Sequence, residues 1–314
     1  MAYGAAALTI SACGQTVTAP VTLGDAPASG WAIDTSGDLN AFFDCLEGQG
    51  ATLVAAHRGG PAKGFPENAV ETMAATLAAA PALMEIDVAT SSDGALFLNH
   101  DDTLDRTTTG SGPAGALSWA EIQKLKLRDN DGAATPYRPS RFDEALAWAD
   151  GKTILEIDFK RSTSFEAVAA EIARQRAERR VILIAYTMAQ AEKLHRLMPD
   201  AMISLSVNSQ SELNRAVAAG VPDDHIIGFT GTEEPRPRLF ATLNNRKVEV
   251  IFATLGGHDS FDRQIEQSGD DSLYGELSGA GVDIIATDRP REAQAALETA
   301  GRAAKAGACG ILKH

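Results

Sequence analysis

Several chemistries are excluded by what this chain lacks. It has three cysteines in 314 residues and no Cys-x-x-Cys spacing, so no dithiol redox motif is present. It has no Gly-x-Ser-x-Gly elbow, no Walker-type glycine loop and no His-Glu-x-x-His pattern, which leaves serine or cysteine nucleophiles without supporting context. No run of about twenty apolar residues occurs, so no helix is expected to cross a membrane. Basic runs are also missing. With a net charge of −14 and only 6% aromatic residues, an extended nucleic-acid surface is not expected. The same acidity means that an anionic ligand must be held by local cations or by a bound metal.

What is present is enough for a full core: 44% of residues are hydrophobic, and the length suits one large α/β domain or two ordinary ones. The N-terminus reads separately. Small apolar residues at 5–12 lead into Ile10-Ser11-Ala12-Cys13-Gly14, which resembles a bacterial lipobox, although a charged n-region is missing. On that reading residues 1–13 are a signal segment, 14–35 a flexible tether and 36–314 the catalytic domain. Lipidation of Cys13 would attach the protein to the membrane, as a periplasmic or envelope-anchored lipoprotein. If the segment is not a signal, the protein stays in the cytoplasm. The other two cysteines, Cys45 and Cys309, lie near opposite ends of the folded part, and an oxidising compartment would allow them to pair.

Apolar runs at 53–56, 83–88, 95–99, 153–159, 181–186, 202–207, 225–229, 249–254 and 282–286 read as strands, with helical patterns between most of them. Such alternation argues for a parallel α/β sheet, open or closed. Nine runs are one too many for an eight-stranded barrel, and either the run at 95–99 or the run at 225–229 is the extra. The link Ser91-Ser92-Asp93-Gly94 is too short for a crossover helix, so a barrel would be irregular after its second strand. Residues 104–150 show no strong strand. Pro66 followed by Asn68-Ala69-Val70-Glu71 has the spacing of a helix capping box.

The chemistry-bearing residues sit at the ends of these runs. His57-Arg58-Gly59 ends the first, and Asn99-His100-Asp101 ends the third. A titratable residue at a strand's end stands at a barrel mouth or sheet edge, and two histidines can divide acid and base duties near neutral pH. Glu85 and Asp87 alternate with Met84, Ile86 and Val88, so both acids project from one face. Two carboxylates on a buried face repel each other and call for a cation. The pattern recurs in Glu156, Asp158 and Lys160, opposite Leu155, Ile157 and Phe159. These residues propose a metal-assisted centre with two histidines. Asp101 can orient His100. His195, His225 and His258 read as structural or loop residues.

In order along the chain, His57-Arg58-Gly59, Pro66-Glu67-Asn68, Glu85-Ile86-Asp87, Asp93-Gly94, His100-Asp101 and Leu104-Asp105-Arg106-Thr107-Thr108-Thr109-Gly110-Ser111-Gly112 resemble the glycerophosphodiester phosphodiesterases. The segment 281–290 is similar to that family's last strand. The resemblance spans roughly residues 52–290. It implies an irregular (β/α)8 TIM barrel of the phosphatidylinositol-phospholipase C type, with one divalent cation, Ca²⁺ or Mg²⁺, at the C-terminal mouth. It also implies that His57 and His100 are the paired acid and base, that Glu85 and Asp87 are metal ligands, and that Arg58 contacts the phosphate. The family usually carries a Glu two residues before a phosphate-binding Lys. Keeping the spacing to Lys160 makes Asp158 the third ligand, whereas keeping the residue type makes it Glu156. The expected reaction releases glycerol 3-phosphate and an alcohol from a small glycerophosphodiester. The alternatives are cleavage of lysophospholipids or sphingomyelin, and a lipoprotein that binds phosphodiesters or metal without turnover.

Overall fold

The computed structural model describes residues 30–314; the lipobox-like segment around Cys13 and most of the expected tether lie outside them. The strands are β1 (Trp31–Ile33), β2 (Leu53–Ala56), β3 (Ala82–Thr90), β4 (Leu96–Leu98), β5 (Leu155–Phe159) and β6 (Val181–Ala185). They continue as β7 (Met202–Ser206), β8 (Ile226–Phe229), β9 (Glu249–Ala253), β10 (Ile284–Thr287) and β11 (Ile311–Lys313). Strands β2, β3 and β5–β10 pair in parallel, and β2 bonds to both β3 and β10, which closes an eight-stranded barrel. This is a (β/α)8 TIM barrel. Helices Val70–Ala79, Phe165–Arg174, Met188–Leu197, Gln210–Ala218, Pro237–Asn244 and Pro290–Thr299 are among those between the strands.

The surplus run is β4. It folds back antiparallel on the upper half of β3, pairing Leu98 with Val88 and Leu96 with Thr90. A tight turn makes this possible. Ser91 Oγ donates to Asp93 and accepts from the Ala95 N–H, and Gly94 takes a φ of 83°. The return run has a consequence for the site. The Asn99 N–H bonds the Asp87 carbonyl at 3.0 Å, so His100 comes back to the level of the β3 acids. Residues beyond it build a wall over a small core of their own, containing Ala89, Phe97, Leu104, Ala114 and Ile122.

Alternation along the strands separates two apolar regions. Met84, Ile86, Val88, Leu155, Ile157 and Leu183 pack with the surrounding helices. Leu53, Leu83, Ile182, Met202, Ile227, Ile251 and Ile284 form the other set, together with Phe42, Phe43 and Leu46 of helix Leu39–Gly48. Each such large side chain contributes about 1.5–3 kcal/mol on burial. Asp38 starts that helix by accepting the Ala41 N–H at 2.9 Å. Trp31–Ile33, inside the stretch read as a tether, forms instead an antiparallel ribbon with β11. Its partner is contributed by the far end of the chain, where no local pattern announces it. A Cys45–Cys309 disulfide, with Cα atoms 5.6 Å apart, fastens that helix to the C-terminal segment.

Candidate active site

The inner side chains change character toward the C-terminal ends of β3 and β5. In the parallel register Glu85 lies beside Glu156 and Asp87 beside Asp158, so four carboxyls stand on two levels of adjacent strands. All four are buried. Carboxylate oxygens of Glu85, Asp87 and Asp158 come within 4.8 Å of one another; Glu156 is not part of this group. Burial pushes the Glu156 carboxyl up to about 7, against the lowering effect of its bond with Ser204.

Charge in the group of three is only partly balanced. The Lys160 ammonium stands 2.9 Å from both Asp87 and Asp158. Burial works to raise Asp87, but Lys160, His100, Asn68 and Arg58 outweigh it and hold this carboxyl low. Glu85 is raised well above the usual carboxylate range, first by burial and then by the Asp87 charge; its compensation includes the Arg58 N–H at 2.8 Å. Asp158 Oδ1 is buried without a hydrogen-bond partner. An unpartnered oxygen, a carboxyl raised by a neighbouring charge and an all-oxygen donor set together fit a hard divalent cation.

Asn68 departs from its expected role. The helix begins at Val70 with Ala69 as its uncapped N-terminal flank, and no capping box forms. Asn68, at φ 57°, instead donates to Asp87 Oδ2 at 2.7 Å and accepts the Asp87 N–H at 2.9 Å. A cap residue and a site residue look alike in sequence, because both use a short polar side chain on backbone N–H groups.

His57 and His100 both face the barrel mouth. His57 Nδ1 lies 2.6 Å from Asp288, and His100 Nδ1 lies 2.7 Å from Asp101. A carboxylate on Nδ1 leaves Nε2 as the nitrogen available to a substrate. Asp288 escapes a reading of the sequence for site residues. Its signal is nonetheless there: it follows the last apolar run as His57 follows the first. Burial tends to raise Asp288, but the His57 bond prevails and lowers it. Arg106 holds Asp101 far below the usual range. Glu67 is a second such residue, present in the Pro66-Glu67-Asn68 motif but given no role by it. Buried, it takes both Arg58, at 3.1 Å, and Arg106, at 2.7 Å. Of the remaining histidines, His195 and His225 pack edge to face, and His258 is almost fully exposed beside Asp259.

Two connected spaces meet at the histidines. The inner one, of about 230 Å³, holds the acids and is lined further by Tyr186, Phe229 and Leu255. The outer one, of about 780 Å³, is walled mainly by charged and polar side chains. Together they can admit a small phosphorylated molecule, with a cation-ready acid group inside and paired imidazoles between.

Comparison with known proteins agrees with this architecture. The model of the Glycerophosphoryl diester phosphodiesterase family matches residues 57–222. A crystal structure of a glycerophosphoryl diester phosphodiesterase from Parabacteroides distasonis is 32% identical, with a TM-score of 0.79, over 86% of this chain and 94% of that one. A glycerophosphodiester phosphodiesterase from Caldanaerobacter subterraneus is 27% identical over 49% of this chain and 66% of its own length. The fold is also that of an Oleispira antarctica phosphodiesterase solved with its product sn-glycerol-3-phosphate, at 20% identity, a TM-score of 0.61, and coverage of 79% and 97%. The chain belongs to the glycerophosphoryl diester phosphodiesterase family and is an enzyme of that class, acting in glycerophosphodiester hydrolysis.

Proposed function

We propose that this enzyme cleaves glycerophosphodiesters to glycerol 3-phosphate and an alcohol, by paired histidine catalysis supported by one divalent cation, Ca²⁺ or Mg²⁺. The observation that carries the reading is the placement of two imidazoles, each backed by a carboxylate, at the edge of a buried three-carboxylate group. Glu85, Asp87 and Asp158 would hold the cation, which when bound supplies neutralising charge to the phosphate oxygens. Asp158 is preferred to Glu156 as the third ligand because its oxygen belongs to the close group and one of its oxygens has no other partner.

Arg58 and Lys160 are the cations of the chain nearest these acids, and they orient and neutralise the phosphate. One histidine removes the proton of the attacking hydroxyl, which is either water or the glycerol 2-hydroxyl through a cyclic phosphate. As the new phosphorus–oxygen bond forms, the bond to the headgroup oxygen breaks. The other histidine delivers a proton to that leaving oxygen; on the cyclic route water then attacks the ring phosphorus and the bond to the glycerol 2-oxygen breaks, that oxygen taking back a proton, to give glycerol 3-phosphate. Asp288 and Asp101 hold the two rings in position and stabilise each while it carries the extra proton.

The test uses residues 31–314 with glycerophosphocholine and measures release of glycerol 3-phosphate. Treatment with EDTA is expected to stop the release, and added Ca²⁺ or Mg²⁺ to restore it. Full activity after exhaustive chelation would overturn the metal-assisted reading.

A further inference from the structure

One arginine of the outer cavity has neither a role in the scheme above nor a carboxylate partner among the described residues. Most of the cavity's guanidinium groups are already matched to carboxylates. Arg58 and Arg106 share Glu67, Arg106 also takes Asp101, Arg263 takes Glu266, and Arg289 takes Asp271. Arg128 differs. Its Nε donates to the Thr108 carbonyl and one terminal nitrogen to the Gly132 carbonyl, both at 2.9 Å, and it has no carboxylate partner among the described residues. Those two bonds fix the plane of the guanidinium and leave its other terminal nitrogen without a protein partner. Main-chain carbonyls anchor the group without neutralising its charge.

Acids of the same wall do not cancel that charge by pairing with it. Asp129 is occupied by the N–H groups of Gly64, Asp131 and Ala133. Asp262 accepts from the Tyr274 and Thr287 hydroxyls and the Asp288 N–H, and Asp288 is held by His57. In a chain of net charge −14, a half-buried, carbonyl-anchored arginine facing a cavity is a local attractor for anions.

Space bears on which part of the substrate that anion would belong to. The inner cavity, of about 230 Å³, has room for a three-carbon glycerol, and the far larger outer one has room for a bulkier group on the other side of the phosphorus. We propose that the outer cavity is the headgroup subsite and that Arg128 selects alcohols bearing their own negative charge, a carboxylate or a second phosphate, over cationic ones such as choline. A planar guanidinium suits either anion, and the positive end of choline meets a like charge there. This assignment rests on the phosphodiesterase reading, and Arg128 acts in it as a specificity residue.

The test compares kcat/KM for glycerophosphoserine, for a diester whose alcohol carries a second phosphate, and for glycerophosphocholine. At least one anionic substrate is expected to exceed the choline diester by tenfold or more, and which one does so identifies the anion. Arg128→Gln should lower that ratio at least tenfold, and Arg128→Lys should keep part of it, with folding checked by thermal melting. A wild-type enzyme without the preference, or a ratio unchanged in Arg128→Gln, would overturn the subsite. If none of the diesters is cleaved, the phosphodiesterase reading fails instead. The subsite is then judged by calorimetry with phosphoserine and phosphocholine: tighter phosphoserine binding that is lost in Arg128→Gln supports it, and equal binding overturns it.

Discussion

Replacing Asp288 with asparagine isolates the contribution of the carboxylate behind His57. The 2.6 Å contact pairs an ionised oxygen with a ring that, on the proposed mechanism, gains and loses a proton. A hydrogen bond to a charged group contributes roughly 1.5–3 kcal/mol. If that amount is felt mainly when the imidazole is protonated in the transition state, the loss is about 10- to 150-fold in kcat/KM, at about 1.4 kcal/mol per decade. Asparagine adds a second effect, because its amide can donate to Nδ1 and favour the wrong tautomer, which deepens the loss. Asp288→Ala removes the carboxylate without that complication and should fall in the lower part of the range. The backbone is little disturbed in either variant, since the Asp288 N–H still bonds Asp262 at 2.7 Å. The assay is steady-state release of glycerol 3-phosphate from glycerophosphocholine, with cation affinity measured in parallel by calorimetry. Affinity should hold while turnover drops. Two folded variants within twofold of the wild-type rate would refute the positioning role.

Other outcomes follow from the same structure. Asp158→Asn should weaken divalent-cation binding by tenfold or more in calorimetry, while Glu156→Gln, outside the close group, should change it by less than about threefold. Burial raises Glu249 to about 8 and Asp283 to about 7, so the stability each contributes in its neutral form is present near pH 4 and falls away as the pH rises toward 8. Each group contributes up to about 1.4 kcal/mol per pH unit to that fall. Glu249→Gln should therefore flatten the decline between pH 6 and pH 8.5 in denaturant melts, and an unaltered slope would contradict it. Replacing Cys45 and Cys309 together with serine frees a 264-residue separation and should cost about 2–5 kcal/mol of stability, read as a lower urea midpoint.

Much of the barrel is legible in the chain because its alternation is strict. Acids at 85, 87, 156 and 158 interrupt apolar runs at a spacing of two, which places them on one face before any contact is known. The short Ser91–Gly94 link likewise announces an irregularity after the second strand, without saying whether the run at 95–99 or at 225–229 is the surplus one; β4 folds back antiparallel on β3. Register is another matter. Only strand pairing sets Glu85 beside Glu156 and Asp87 beside Asp158, and only the folded positions of the carboxylate oxygens separate Asp158 from Glu156. Asn68 looks like a cap in the sequence because the partner it takes instead, Asp87, lies nineteen positions away. Glu67 and Asp288 were hidden for the same reason: their partners are long-range. Strands of three residues at either end of the domain carry too little pattern to announce their ribbon.

The central claim is that His57 and His100 carry the proton transfers. The measurement that tests it most directly is the turnover of His57→Ala and His100→Ala in residues 31–314 with saturating divalent cation and glycerophosphocholine. Each variant is expected to fold, to bind the cation and to lose about 10²–10⁴-fold in kcat, the usual worth of a positioned acid or base. Wild-type turnover in either folded variant would contradict the account.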